Sequence, residues 1–258
     1  MALAADVVRA EPVMGTVVSF HVFAGRCRRD KTEAAVDEAC RELHRLEAIF
    51  STWVADSPMS RLRAGRIGLD QLPPEIPAVL DLCRRAKDLS GGWFDPWAMP
   101  GGVDPTGLVK GWAVEQAIGI LREAGVGAAL ANGGGDIALF GHPPDAPNWR
   151  VGVRHPWRSN AFACVLEVSS AIATSGPYER GLHLIDPHDG SRAQRSASAT
   201  VIGPSLALAD ALATAVAVGA REALRVISGL EGYGAYWIGP DGSEEATSGF
   251  NRALHRAG

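Results

Sequence analysis

"ALANGGGDIALFG" occupies residues 129–141. Three consecutive glycines stand between two apolar runs. The pattern reads as two strands around a tight turn, with "GAALAN" leading in and "DIALFG" leading out. Glycine also lets a backbone approach a ligand and present bare N–H groups to phosphate. An ordinary hairpin turn accounts for the same three residues. A dinucleotide fingerprint is excluded by context: "GVGAAL" (125–130) follows a helix and leads into a strand, the reverse of what that motif needs. A Walker sequence is absent as well.

Outward from this hairpin the order of elements is mixed. "GTVVSFHVFA" (15–24) reads as a strand, and "KTEAAVDEACRELHRLEAIFS" (31–51) places Val36, Ala39, Cys40, Leu43, Leu46 and Phe50 at helical spacing. "PPEIPAVLDLCRRAKDLSGG" (73–92) is a helix with early prolines and late glycines. "VKGWAVEQAIGILREAG" (109–125) is a third. Short strands are expected at 149–156, 163–176, 182–187 and 198–203. Two helices follow, "SLALADALATAVAVG" (205–219) and "AREALRVISGL" (220–230). "YGAYWIGPDGSEEATSGF" (233–250) closes as a hairpin around Pro-Asp-Gly. This order suits an α+β sandwich with a mainly antiparallel sheet rather than a doubly wound fold. We expect one domain over residues 1–258.

The chain has 258 residues and a formal net charge of −4. A core of that size buries roughly 75% of the unfolded surface and needs no staples. "RCRRDK" (26–31) is the densest basic run and reads as a solvated loop, so no nucleic-acid partner is expected. Cys27, Cys40, Cys83 and Cys164 show no metal-site spacing. No stretch approaches the ~18 apolar residues of a membrane span. The N-terminus lacks a basic start, a sustained apolar core and a lipid-accepting cysteine. The expectation is a soluble, cytoplasmic protein.

Three stretches carry candidate chemistry. In "LADALATAVAVG" (208–219), Asp210 and Thr214 lie one turn apart on one helix face. They offer two hard oxygen ligands of the kind magnesium prefers. The bland reading is an acid favouring the helix dipole and an incidental threonine. "GGWFDPWAMPGGVDPTGLVKGWAVE" (91–115) sets Trp93, Phe94 and Trp97 beside Asp95, Asp104 and Lys110. Such a mixture suits a planar heterocycle with a polar rim, or a turn packed with tryptophans. "TSGPYERGLHLIDPHDG" (174–190) carries His183, Asp186, His188 and Asp189. Zinc is disfavoured, because His183 and Asp186 would point to opposite faces of a strand. A histidine there suits a general base, and Asp-Pro-His-Asp-Gly is most simply a turn.

Taken in order, "MGT" (14–16), "FSTW" (50–53) with Ser57 and Ser60, "FDP" (94–96), "DPTGLVKGWA" (104–113), "NGGGDI" (132–137), "TSGPYERGLHLIDPHDG" and "ADALATA" (209–215) cover most of the chain. In this the sequence resembles the FAD:protein FMN transferase family. The resemblance implies a T-fold-like α/β sandwich that binds FAD and Mg²⁺. It implies transfer of FMN from FAD to a Thr or Ser hydroxyl of an acceptor protein, with release of AMP. It further implies metal ligands at Asp210, Thr214 and the Gly107 carbonyl. Met14, Trp53, Trp93, Phe94, Asp95, Asp104, Lys110 and Leu184 match flavin- or adenine-contacting positions, and His183 matches the base. Two departures stand out. Only eight residues separate Asp95 from Asp104, and "PTGLVKG" replaces a more usual Gly-Gly-Ile-Ala-like run. The competing readings are a Mg²⁺-dependent FAD pyrophosphatase, a non-catalytic FAD-binding protein, and a flavin oxidoreductase, for which no nicotinamide site is visible.

Overall fold

A computed structural model describes residues 6–176 and 184–255. The triple glycine does form a tight hairpin. β3 (Ala128–Gly133) and β4 (Asp136–Phe140) pair antiparallel, and Gly133 opposes Asp136. The two residues between them, Gly134 and Gly135, have φ of 66° and 100°. A Cβ is strongly disfavoured there, which is why glycine occupies both positions.

The hairpin sits inside one eight-stranded sheet whose neighbours all run antiparallel. β1 (Val7–Val13) is one edge, and β2 (Thr16–Phe23) joins it to β3. Beyond β4 come β7 (Ala171–Ser175), β8 (Ser198–Gly203), β9 (Gly234–Ile238) and the short edge strand β10 (Glu244–Ala246). A separate hairpin pairs β5 (Trp149–Arg154) with β6 (Phe162–Val168). The expected α+β class with a mainly antiparallel sheet is what the chain forms.

Strand alternation divides the interior in two. Ala129, Ala131, Ala138, Phe140, Ala173 and Trp237 face a core shared with the helices. Ile137, Leu139, Ile172, Tyr236 and Ile238 face the other way, against Val151 and Leu166 of the β5–β6 hairpin. The helical layer holds α1 (Arg29–Phe50), α2 (Pro58–Arg63), α3 (Glu75–Leu89), α4 (Thr106–Glu123) and α5 (Leu206–Ser228). α6 (Ser248–Ala253) lies at β9. α4 covers β3 and β4, while α5 covers β7, β8 and β9. The two helices pack directly on each other, and Glu115 of α4 fastens the start of α5. Its carboxylate accepts from the Ser205 hydroxyl at 3.0 Å and from the Ala207 N–H at 3.1 Å. An acid at a helix N-terminus satisfies otherwise orphaned donors.

Several expectations need correction. The strand over 182–187 does not form within the described part of that range. Residues 184–187 contribute only an isolated bridge, Ile185 to Arg192. The reason is local: Asp186 accepts from the His188 N–H at 3.0 Å, and its carbonyl accepts from Gly190, so the chain turns. The segment 163–176 is two strands in two sheets, broken at Ser169 and Ser170. β1 and α2 were not foreseen; Pro12 masks the first, and Ser57 caps the second by accepting from the Ser60 N–H. The two helices expected at 205–230 are continuous except for a kink at Ala220, which takes φ 48°, ψ −128°.

Candidate active site

The site begins where α4 and α5 touch. Gly111 makes the contact possible, because a Cβ there would lie 2.7 Å from the Leu206 carbonyl oxygen and 2.8 Å from the Asp210 Cβ. The Gly111 N–H donates to Asp210 Oδ2 at 3.0 Å. In an α-helix that N–H is aimed at the carbonyl four residues earlier, so this bond brings the Asp210 carboxylate beside the Gly107 carbonyl. A Cβ on Gly107 would lie 3.6 Å from Thr214 Oγ1. The Ser175 hydroxyl at the end of β7 stands 3.3 Å from the same oxygen. Asp210 is 3% exposed, and a carboxylate that deep needs a compensating donor or cation.

These groups open onto a cavity of about 300 Å³. Its walls include Trp93, Phe94, Asp95, Asp104, Lys110 and Leu184 besides Gly107, Asp210 and Thr214. Trp93 is seated on the kink in α5; a Cβ on Gly219 would lie 2.4 Å from its indole. His188 packs on the indole at 4.4 Å between ring centroids, and the Arg195 guanidinium lies 5.5 Å from it. Both are tied to Asp186, whose carboxylate contacts His188 Nδ1 at 3.0 Å and Arg195 at 3.3 Å.

The short Asp95–Asp104 connection folds back on itself. The Asp104 N–H donates to the Pro96 carbonyl at 2.9 Å. Asp95 accepts from the Trp97 N–H and pairs with Lys87 at 2.7 Å. Asp104 accepts from the Thr106 N–H and is ion-paired with Arg63. These two acids line the cavity while holding its loop.

Met14 and Trp53 line a second cavity of about 430 Å³, which Lys110 also borders. Met14 and Gly15 form the β1–β2 turn, both with positive φ, and the Met14 N–H donates to Glu47 Oε1 at 2.7 Å. A left-handed methionine is uncommon and costs about 1 kcal/mol or more. Trp53 is 95% exposed, so its ring offers an open face. Ser57 and Ser60 both donate to the Ser51 carbonyl and hold the loop that presents it.

One carboxylate, one hydroxyl and one carbonyl are hard oxygen donors and fit a magnesium ion completed by substrate and water. Among the described residues no group of three or more His, Cys, Asp or Glu is placed to hold a metal. Burial pushes the Cys40 and Cys164 thiols up to about 11 and Cys83 up to about 12, so none of these three offers a thiolate nucleophile.

A family model described as the ApbE family matches residues 14–101 and 98–237. The chain belongs to the ApbE family. Relatives of this chain include a Rhodobacter capsulatus FAD:protein FMN transferase, 34% identical over 129 residues. That alignment covers 46% of this chain and 24% of the relative. A second, the FAD:protein FMN transferase of Escherichia coli K12, is 28% identical over 156 residues, or 56% of this chain and 44% of the relative. The matched stretches thus span less than half of these relatives' lengths. In structure, the ApbE protein of Thermotoga maritima superposes with a TM-score of 0.85 at 20% identity, over 97% of this chain and 99% of that one. That likeness is one of fold.

Set against the ApbE-family expectations, the structure gathers nine of the named positions around one cavity and Met14 and Trp53 around its neighbour. His183 lies outside the described residues. Asp136 and Ser175 went unassigned, although both fall within quoted motifs. Asp136 follows directly on three glycines that the hairpin reading alone accounts for. The signal available was an acid opening the otherwise apolar run "DIALF", which the structure buries throughout. No helix of the described residues is long and apolar enough to cross a membrane.

Proposed function

We infer that this protein transfers FMN from FAD to a Thr or Ser hydroxyl of an acceptor protein, with Mg²⁺, and releases AMP. The observation that carries the reading is the convergence of Gly107, Asp210 and Thr214 beside Lys110, in a chain of the ApbE family. Asp210, Thr214 and the Gly107 carbonyl would hold the cation. When bound, it would neutralise diphosphate charge that otherwise repels an oxygen nucleophile.

The chain's own residues account for the remaining work. Lys110 adds fixed positive charge where the two cavities meet. Trp93 and Trp53 offer ring faces to the two heterocycles of the dinucleotide. The acceptor oxygen attacks the phosphorus of the FMN half, the bond to the bridging oxygen breaks, and AMP carries that oxygen away. The hydroxyl proton passes to a base, for which His183 is the candidate by family resemblance.

The reading is tested by incubating the protein with FAD, Mg²⁺ and candidate acceptors, then denaturing. Flavin fluorescence that stays with the acceptor polypeptide, with one AMP per flavin attached, is the expected result. FMN and AMP appearing equally fast without any acceptor would instead make the protein a pyrophosphatase. FAD left intact would make it a binding protein.

Trp53→Ala should weaken FAD binding by about tenfold, the scale of one stacked ring, with no loss of thermal stability because the ring is exposed. Titration calorimetry decides this, and unchanged affinity would remove Trp53 from the nucleotide site.

A further inference from the structure

Asp136 is fully buried, and no part of its side chain reaches solvent. Its Oδ1 accepts from the Thr174 N–H at 3.1 Å. Its Oδ2 is ion-paired with the Lys110 ammonium. Both contacts bridge elements that the backbone leaves apart. β4 and β7 pair only through Ile137–Ile172 and Ala138–Ala171, so beyond Ile137 the carboxylate of Asp136 replaces the missing ladder. The same carboxylate reaches across to α4, where Lys110 stands.

Lys110 occupies an unusual position. It borders the cavity of Asp210 and Thr214, the cavity of Met14 and Trp53, and a third of about 590 Å³ between the Gly134–Gly135 turn and Arg154. A lysine ammonium sits on a flexible four-carbon stem. At a junction of three openings such a stem has several places to go, and only a fixed partner selects one. Burying a carboxylate to supply that partner is costly, and an apolar pair of similar volume would often be no less stable. The arrangement is better explained by placement of the charge than by stability.

We propose that Asp136 is a positioning residue for Lys110: it holds the ammonium at the cavity junction so that the charge meets the diphosphate of the nucleotide. The proposal rests on the flavin-transfer reading of this site. Asp136 itself touches no substrate. Transition-state charge is stabilised only by donors already in place, so a displaced ammonium costs rate more than affinity.

The test is a double-mutant cycle read by AMP release from FAD with Mg²⁺ and an acceptor protein. Asp136→Asn keeps the volume and an oxygen for the Thr174 N–H but removes the charge. It should lower kcat by about 30-fold while the KM for FAD stays within about threefold. Lys110→Met should cost about 100-fold or more, and the double variant should be no slower than Lys110→Met alone. Equal factors from Asp136→Asn in both backgrounds would overturn the proposal, as would a kcat within twofold of the parent. A second readout needs no turnover: the rate at which Lys110 is trinitrophenylated, followed by peptide mapping. Loss of its anchor should speed labelling of Lys110 at least about tenfold at unchanged melting temperature. If the parent protein releases no AMP, the flavin reading fails, and labelling alone decides the role of Asp136. Unchanged labelling would then sink it. Asp136→Ser, smaller but still able to accept from Thr174, is the second variant. If both Asp136 variants unfold while Lys110→Met folds, Asp136 serves the sheet and not the lysine, and the proposal falls.

Discussion

Replacing Asp210 with alanine is expected to remove Mg²⁺-dependent release of AMP from FAD, a fall of about a thousandfold. That factor corresponds to ~4 kcal/mol of lost transition-state stabilisation, the scale of a bound divalent ion. The fold should survive. Asp210 is buried, but the Gly111 N–H that donates to it has the Gly107 carbonyl as a ready intrahelical partner once the carboxylate is gone. The melting temperature should therefore move by no more than about 5 °C. Asp210→Asn keeps an acceptor for Gly111 and removes only the charge; its rate should fall almost as far. Chelation of the parent protein should mimic both variants and reverse on adding Mg²⁺. Calorimetry of Mg²⁺ with a non-cleavable FAD analogue supplies the second readout, with binding in the parent and none in Asp210→Ala. Undiminished turnover in that variant would take Asp210 out of the site and the metal reading with it.

The second large effect concerns a residue with no chemistry of its own. Gly111→Ala ought to stabilise an isolated helix by about 1 kcal/mol. Here the added methyl meets the Leu206 carbonyl oxygen at 2.7 Å and the Asp210 Cβ at 2.8 Å. Neither neighbour is the far end of a flexible side chain, so α4 and α5 must separate. Overpacking of this kind costs about 3 kcal/mol, or on the order of 6–12 °C in a chain of this size. Activity should fall further than stability, because Gly107 rides on one helix and Asp210 and Thr214 on the other. Gly119→Ala is the internal control. It lies in the same helix with nothing within 4 Å of the added Cβ, and should gain about 0.5–1 kcal/mol. Differential scanning calorimetry of both variants settles the matter. If Gly111→Ala melts at or above the parent, close helix approach is not what shapes the site.

Much of this architecture was legible from local pattern. The triple glycine announced a hairpin because two positive φ angles in succession admit little else. Helical periodicity placed α1, early prolines and late glycines placed α3, and the i, i+4 spacing of Asp210 and Thr214 held in the fold. The failures have physical causes. Strands β6 and β7 merge in the sequence because both are apolar and only Ser169 and Ser170 separate them; what parts them is a change of sheet. Of the strand expected at 182–187, the described residues 184–187 turn instead, because Asp186 bonds to its own neighbours. Nothing within "NGGGDI" marks Asp136 as more than an acid after glycines. Its meaning depends on Lys110, 26 residues earlier, and on Thr174, on a strand much further along. No local pattern encodes that meeting.

One consequence of the topology concerns how these molecules behave toward one another. An open sheet of eight strands ends in two rims, and each rim is a template on which another chain could add. The first rim, β1, carries Arg9 and Glu11 in mutual ion pairing and Pro12, which has no N–H to offer. The last, β10, is three residues long and begins with two glutamates. The sheet is thus finished by a proline, charged side chains and brevity rather than by closing into a barrel. A wide antiparallel sheet is left with two edges that offer little to an added strand.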